Sequence, residues 1–236
     1  MNYYFMMDDK SNKTFNFDVE YGRVDFEIQK RPYEEEWTKP IDYIYDPTSP
    51  EVIYYNFVNK KEYLSKVNFN YDYYWYTHGF ILSERLLKVF KEFKIQGCVC
   101  KKIKFTVGGE IIDSPDFYLL KFNTYNVAKP APDFVDYDRT ELLPSKTNYV
   151  VTKKLVLKEN IDFDIFKPGK VELLSSAGIV VTEKVKNAIE FNNCGRGIRF
   201  LPIETAQEEY CKNSFKDFTS LLKRAKPKLP DRKSVV

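Results

Sequence analysis

The sequence predicts an α+β fold in which a mixed or antiparallel sheet carries a few single helices. Short segments that alternate apolar and polar residues outnumber the helical segments, and the helices occur singly among them. A helix–Gly–strand unit also occurs twice, roughly one hundred residues apart. The chain has 236 residues, of which 43% are hydrophobic and 17% aromatic, so it can bury a sizeable core.

The first 77 residues form an aromatic-rich region that we expect to be mainly β structure. Residues 23–28 alternate between apolar and polar side chains, which predicts a half-buried strand, and residues 51–57 predict another. Between them, residues 30–50 contain four prolines and predict an irregular loop.

Each copy of the repeated unit begins with an apolar stretch, a helix N-cap and an acidic residue in the first turn. Ser83 is the predicted N-cap of the first copy and Thr182 that of the second, because their hydroxyls can accept hydrogen bonds from free N–H groups at a helix start. Gly97 is expected to end the first helix in the left-handed conformation. Gly195 or Gly197 is expected to end the second.

A strand is predicted after each of these glycines, over residues 98–105 and 198–203. The two units match at six consecutive conservative positions where their helices begin. When one residue is inserted before the glycine in the alignment of the two units, Cys100 aligns with Phe200. We therefore expect the two strands to be equivalent.

The rest of the chain adds strands and a final helix. Strands are predicted at residues 117–122, 149–152 and 154–157, and Thr205 with Glu208 forms a predicted capping box. The predicted organisation is an aromatic-rich N-terminal β region, an α+β region with the two units, a C-terminal amphipathic helix and a basic tail, at residues 1–77, 78–204, 205–226 and 227–236.

Composition and charge argue against several classes of protein. The chain has 37 basic and 34 acidic residues and a net charge of +3, which argues neither for nor against a nucleic-acid partner, although a dedicated duplex binder usually concentrates basic charge more strongly. No apolar run approaches the ~18 residues of a membrane helix. The start of the sequence lacks the features of a signal peptide, and four cysteines are too few for a disulfide scaffold of this length. We therefore expect a cytoplasmic protein with no membrane and no nucleic-acid partner.

The sequence offers little for catalysis, and we predict no catalytic residue, no metal site, no cofactor and no small-molecule substrate. His78 is the single histidine and fits a turn. Cys98, Cys100, Cys194 and His78 include the ligand types of a zinc site. However, Cys98 and Cys100 replace apolar residues of the repeat on one strand face, which predicts core residues. Pairs of carboxylates occur without a supporting motif.

Two segments are candidates for contact with a partner protein. One is an acidic run beside a tryptophan in the proline-rich loop, and the other is an aromatic run, because Trp and Tyr are typical anchors of protein interfaces. The candidate residues are Glu34, Glu35, Glu36 and Trp37, and Tyr73, Tyr74, Trp75 and Tyr76.

Roughly residues 78–205 resemble the immunity protein 43 and immunity protein 11-like family of bacterial polymorphic toxin systems. The segments that carry the resemblance are FILSERL at 80–86 with Gly97, FYLL at 117–120, KKLVL at 153–157, IF at 165–166 and IVVTEKV at 179–185. The resemblance implies a non-enzymatic antitoxin with no catalytic residues to carry over. It also implies, as partner, the C-terminal toxin domain of a secreted effector, for instance one delivered by type VI secretion.

Two other functions stay open at this point. The aromatic residues and the basic tail are compatible with a module that binds single-stranded nucleic acid, which would show a steep salt dependence. The scattered carboxylates are compatible with a hydrolase, which would need acids that converge in a pocket.

Overall fold

The computed structural model describes residues 2–9, 22–30, 39–57, 69–76, 79–123, 133–143, 151–169 and 178–214. Over these ranges the chain contains three α-helices among mixed and mostly antiparallel sheets, which confirms the predicted α+β fold. None of the helices in these ranges has the length and apolar character needed to cross a membrane.

The described strands are β1 (Tyr3–Asp8), β2 (Gly22–Asp25), β3 (Val52–Phe57), β4 (Tyr73–Tyr76), β5 (Gly79–Ser83), β6 (Cys98–Val107), β7 (Glu110–Ile111), β8 (Phe117–Phe122), β9 (Glu141–Leu143), β10 (Val151–Lys154), β11 (Ile165–Phe166), β12 (Gly178–Thr182) and β13 (Ile198–Pro202). The helices are α1 (Glu84–Phe90), α2 (Glu183–Phe191) and α3 (Ala206–Ser214), with a 3-10 helix at Ile41–Tyr45.

Two main sheets contain most of these strands. The seven-stranded sheet has the order β2–β3–β6–β8–β5–β4, with β7 paired to β6. Within it β3 and β6 are parallel, and the other pairs are antiparallel. The four-stranded sheet has the order β11–β12–β1–β13 and is antiparallel throughout. β9 and β10 pair separately.

The duplication predicted from the repeated unit is present, and it extends over four strands. The first half contains β4–β5–β8–β6 with α1 after β5, and the second contains β11–β12–β1–β13 with α2 after β12. Two equivalent rows of paired residues cross these strands, Phe80–Leu120–Cys100 in the first half and Ile179–Met6–Phe200 in the second. Cys100 and Phe200 are therefore equivalent, as the aligned sequences predict.

The middle strand of the second half comes from the beginning of the chain. β1 lies between β12 and β13, just as β8 lies between β5 and β6. Residues 1–77 therefore do not form a region of their own, since β1 belongs to the second sheet and β4 pairs with β5. The boundary predicted at residue 77 rests on the aromatic content of the sequence. The fold is instead determined by the pairing of strands that are far apart in sequence.

Both repeated helices bury their apolar faces in one core that the two halves share. Leu86 and Phe90 of α1 and Val185 and Ile189 of α2 are fully buried, in a cluster with residues from both sheets. Burial of each such side chain contributes about 1.5–3 kcal/mol relative to exposure. The shared core therefore holds the halves together, and two further apolar clusters cover the other faces of the sheets.

The first repeated helix begins as predicted but ends earlier. The Ser83 hydroxyl accepts a hydrogen bond from the Leu86 N–H at 3.2 Å, so Ser83 is the N-cap. The helix ends at Phe90, and Gly97 does not have a positive φ. The prediction that Gly97 ends the helix in the left-handed conformation is therefore wrong.

The second repeated helix ends in a Schellman motif that contains no glycine. The Asn193 N–H donates to the Glu190 carbonyl at 3.1 Å, and the Cys194 N–H donates to the Ile189 carbonyl at 3.2 Å. Asn193 is in the left-handed region with a φ of 51°. Asparagine tolerates this conformation better than most residues, which explains how the helix can end without glycine.

Neither Gly195 nor Gly197 is the helix stop that the sequence predicts, because Asn193 fulfils that role. Gly197 has a different function in the turn before β13, where its φ is 79°. A Cβ atom at this position would lie 2.5 Å from the Tyr71 ring, so the close approach of the chain also requires glycine.

The C-terminal helix α3 begins directly after Thr205, the residue predicted as its N-cap. The Thr205 hydroxyl donates to the Glu209 carboxylate at 2.8 Å, and Glu208 pairs instead with Lys212 at 2.8 Å. The continuation of the predicted helix to residue 226 and the basic tail lie outside the described residues.

Candidate interaction surface

The aromatic run of β4 lies in the core, although the sequence suggested it as a contact surface. Tyr73, Tyr74 and Tyr76 are at most 3% exposed, whereas Trp75 is partly exposed. Side chains buried to this extent offer almost no area to a partner, so the three tyrosines are removed as candidates for direct contact. Trp75 stays a candidate.

The buried tyrosines connect distant strands. The Tyr73 hydroxyl donates to the Met6 carbonyl of the second half at 3.5 Å, and the Tyr76 hydroxyl accepts from the Val24 N–H at 3.0 Å. Burial, and then the negative charge of Asp8, raises the pKa of Tyr73 well above its ordinary value. The Tyr73 phenol is therefore a neutral structural group, and Tyr76 contributes a hydrogen bond between strands.

The other candidate segment, Glu34, Glu35, Glu36 and Trp37, lies outside the described residues, as does His78. The contact prediction for the acidic run and the turn prediction for the histidine both stay predictions.

The most extensive polar arrangement on the strands is centred on Asp72, which is fully buried just before β4. Its carbonyl accepts from the Ser83 N–H at 2.8 Å, and its carboxylate accepts from the Ser83 hydroxyl at 2.6 Å. Its N–H donates to the Arg196 carbonyl at 2.9 Å, and its carboxylate accepts from the Arg196 N–H at 3.1 Å. Arg85 adds a bidentate ion pair, with Nη2 at 2.8 Å.

Asp164 holds the equivalent position before β11. Its carbonyl accepts from the Thr182 N–H at 2.9 Å, and its carboxylate accepts from the Thr182 hydroxyl at 3.2 Å. Its N–H donates to the Lys94 carbonyl at 2.8 Å, and its carboxylate accepts from the Lys94 N–H at 3.2 Å. Thr182 therefore precedes α2 as predicted, but its hydroxyl binds Asp164.

We name these two sets the Asp72 clasp (Asp72, Ser83, Arg85 and Arg196) and the Asp164 clasp (Asp164, Thr182 and Lys94). In each clasp an aspartate joins the start of the helix in its own half to the loop after the helix of the other half. The four acceptor positions of the Asp72 carboxylate are all used by these donors. Asp72 is therefore suited to positioning the two halves and not to proton transfer.

The cysteines are suited to packing. Cys98 and Cys100 contact the shared core, as predicted for residues on one face of the strand. Burial, and then the neighbouring Cys100, raises the pKa of Cys98 to about 11, and burial also raises the pKa of Cys100 to about 11. Both thiols are thus protonated at neutral pH, where a reactive thiolate would be needed for nucleophilic chemistry.

Lys167 is a buried lysine that is not among the residues singled out from the sequence. It is 4% exposed, its Nζ donates to the Gly178 carbonyl at 2.8 Å, and this Nζ lies 4.4 Å from the centre of the Phe80 ring. Burial lowers the pKa of Lys167 well below its ordinary value. The residues next to Lys167 in the sequence do not predict its burial, because the burial results from the packing of the two halves.

A groove of about 770 Å³ lies near the start of β1, lined by side chains of both charges, including Arg139, Glu159 and Glu204. Glu159 is paired with Arg139 at 3.2 Å. Across the described ranges, no group of three or more His, Cys, Asp or Glu residues is placed to hold a metal ion. None of these observations supports the alternative of a carboxylate-dependent hydrolase.

The end of α2 exposes a large apolar side chain. Phe191 is 86% exposed, compared with 55% for Ile111 and 39% for Ile28, the other large hydrophobic residues exposed in the described ranges. Phe191 is not among the residues singled out from the sequence. The available signal was its position outside the apolar face that Val185 and Ile189 form.

Comparison with known proteins gives one family. A family model described as Immunity protein 43 matches residues 24–218. This range includes both halves except for β1. A comparison with curated proteins found no match.

Proposed function

The chain belongs to the immunity protein 43 family, and we propose that it binds and neutralises a cognate bacterial toxin by protein–protein contact. The observation that carries the proposal is the family match over residues 24–218. Membership makes the chain an immunity protein and implies a toxin as its partner. The manner of neutralisation belongs to the proposal.

The architecture supports an inhibitor that acts through its shape. Tight association is favoured when the binding surface is already ordered, because less conformational entropy is lost on binding. The shared core and the two clasps fix the halves relative to each other at both ends of the helix pair. Surface groups on this scaffold are therefore pre-organised for a partner.

Within this proposal, the partner is the C-terminal toxin domain of a secreted effector, and the chain acts in the cytoplasm of the producing cell. The acidic run Glu34–Glu36 with Trp37, and the partly exposed Trp75, are proposed contact residues. No covalent chemistry by the chain is required, since contact over a toxin's active site is sufficient to block it.

The proposal is tested by producing the toxin domain encoded beside this chain in bacteria, with and without the chain. We expect growth only when the chain is present, and we expect the two proteins to co-purify. The matched control is Val185→Asp, because a charge at this fully buried position should prevent folding and abolish protection. Cell death despite soluble wild-type chain, together with no co-purification, would contradict the proposal.

The nucleic-acid alternative is distinguished by a separate measurement. Binding of a single-stranded oligonucleotide would weaken steeply as salt increases, because phosphate contacts release counterions. We expect no such binding at physiological salt. Tight, salt-sensitive binding of oligonucleotide without toxin binding would favour the alternative function.

A further inference from the structure

Phe191 is an exposed aromatic residue on an otherwise well-ordered part of the molecule. Its side chain is 86% exposed at the last residue of α2. The helix end around it is fixed by the Schellman motif of Asn193 and by the Asp72 clasp, which holds the Arg196 backbone. An aromatic group in such a fixed place has little entropy to lose on binding.

The first half has no apolar residue at the corresponding sequence position. Ser83 and Thr182 are equivalent N-caps, and the residue nine positions after Thr182 is Phe191. The residue nine positions after Ser83 is Glu92, which is exposed and lies two residues beyond the end of α1. The corresponding sequence position of the first half thus carries a solvated side chain, and the 86% exposure of Phe191 leaves it no evident role in packing.

On the side of α2 that carries Phe191 the charged groups leave a positive balance, whereas the four charges of the whole helix cancel. Lys184 and Asn187 precede it by seven and four residues and are exposed on the same side of the helix. Glu190 is paired with Lys186 at 2.9 Å. Lys184, and Arg196 in the loop beyond the helix, have no ion-pair partner among the side chains that the structure describes.

From these observations we propose that the end of α2 is a toxin-contacting surface, with Phe191 inserted into an apolar pocket whose rim carries acidic groups. We name this surface, which extends from Lys184 in the first turn of α2 along the exposed side of the helix to the loop beyond its end, the α2 tip (Lys184, Asn187, Phe191, Asn192, Asn193 and Arg196). The inference rests on the proposed function and adds to it the location and chemistry of one contact. Large aromatic residues that enter a pocket typically dominate the affinity of an interface.

The charge of the α2 tip favours a different protein over a second copy of this chain. A symmetric dimer places the same patch of both copies face to face. The positive charges of Lys184 and Arg196 from both copies would then be brought into one interface, and this repulsion opposes association. An acidic partner surface satisfies both cations.

The test compares binding of the neighbouring toxin domain by the wild-type chain and by Phe191→Ala. We expect the variant to bind about 30-fold more weakly or worse, as for an interface hot spot. Two matched controls are Glu92→Ala, at an exposed residue just beyond the helix end of the first half, and Ile111→Ala, at another exposed apolar residue. Both controls should bind within about twofold of wild type. Since Phe191 is so exposed, its replacement should leave the thermal unfolding temperature unchanged.

Charge reversal provides a second readout. Lys184→Glu together with Arg196→Glu should lower the association rate about tenfold or more at low salt, with a smaller effect at high salt. Light scattering of the chain alone should give the same mass for wild type and Phe191→Ala.

The outcomes separate the inference from the proposed function. If the wild-type chain binds and neutralises the toxin and Phe191→Ala binds equally well, the inference is overturned and the function stands. If Phe191→Ala changes the mass of the chain alone, the α2 tip is a self-association surface and the inference is also overturned. If the wild-type chain does not bind the toxin, both the function and the inference are wrong.

Discussion

Asp72 and Arg196 exchange two hydrogen bonds across the halves of the molecule, although they are far apart in sequence. The Asp72 N–H donates to the Arg196 carbonyl at 2.9 Å, and the Arg196 N–H donates to the Asp72 carboxylate at 3.1 Å. Asp164 and Lys94 repeat the exchange at 2.8 and 3.2 Å. Each helix therefore ends beside the start of the other, and the two ends are joined by equivalent polar contacts.

Replacement of Asp72 should strongly destabilise the protein. Asp72→Ala leaves the donors of Ser83, Arg85 and Arg196 without their acceptor, and the carboxylate they lose is fully buried. We expect the free energy of unfolding to fall by about 2–4 kcal/mol. The loss is not larger because Arg85 is half-exposed and regains contacts with water. Urea denaturation followed by circular dichroism measures the change.

The matched control is Asp162→Ala, which removes an exposed ion pair with Lys94. Exposed pairs contribute little, so the change should stay within about 0.5 kcal/mol. Equal effects of the two substitutions would contradict the structural role assigned to the Asp72 clasp.

Asp164→Ala should also destabilise the chain, but less than Asp72→Ala. The Asp164 carboxylate accepts from the Thr182 hydroxyl and the Lys94 N–H, with no arginine in the clasp. We expect a loss of about 1 kcal/mol, because Thr182 is buried whereas the exposed Lys94 N–H can bind water instead. The same denaturation experiment checks the order of the two variants, and a larger loss for Asp164→Ala would be inconsistent with the contacts described.

The local parts of the fold were predictable because their causes are local. Ser83 caps α1 as its hydroxyl and position predict, and the alignment of Cys100 with Phe200 is confirmed by strand register. The contribution of β1 to the second sheet was not predictable, since its partners are over one hundred residues away. Tyr73 was a contact candidate and is buried, because aromatic character fits a core and an interface equally well.

The helix stop at Asn193 can be tested by two substitutions. Asn193→Ala should lower the free energy of unfolding by about 1 kcal/mol, because a Cβ-bearing residue without a polar side chain tolerates the left-handed conformation poorly. Asn193→Gly should stay within about 0.5 kcal/mol of wild type, since relief of backbone strain offsets the greater freedom of the unfolded chain. Chemical denaturation of both variants provides the measurement, and a more stable alanine variant would contradict the assignment.

The thiols should be unreactive while the chain is folded. Burial raises the pKa values of Cys98, Cys100, Cys194 and Cys211 to about 11 each. At pH 8 only about one thiol in a thousand is then a thiolate, the form that attacks disulfide reagents. We expect slow reaction with a chromogenic disulfide in buffer and rapid reaction of all four thiols in guanidinium chloride. Rapid reaction of the native chain would show that the thiols are accessible and ionised.

The burial of Lys167 should make stability depend on pH in a defined direction. Its pKa is well below the ordinary 10.5 in the folded chain, because burial disfavours the charged amine. Between the folded and the unfolded pKa the unfolded state binds a proton that the folded state lacks. The contribution of Lys167 to the free energy of unfolding therefore rises as the pH increases toward 10.5.

Lys167→Met isolates this contribution, since methionine keeps an unbranched apolar stem and has no amine to ionise. Urea denaturation of both proteins at several pH values between 7 and about 10 gives the difference in their free energies of unfolding. We expect the wild type to gain stability relative to the variant across this range, because the cost of removing the proton on folding decreases as the pH rises. Tyrosines that titrate at the alkaline end affect both proteins alike and cancel in the difference. A difference that stays constant with pH would mean that the amine keeps its proton in the folded core, held by the Gly178 carbonyl and the Phe80 ring.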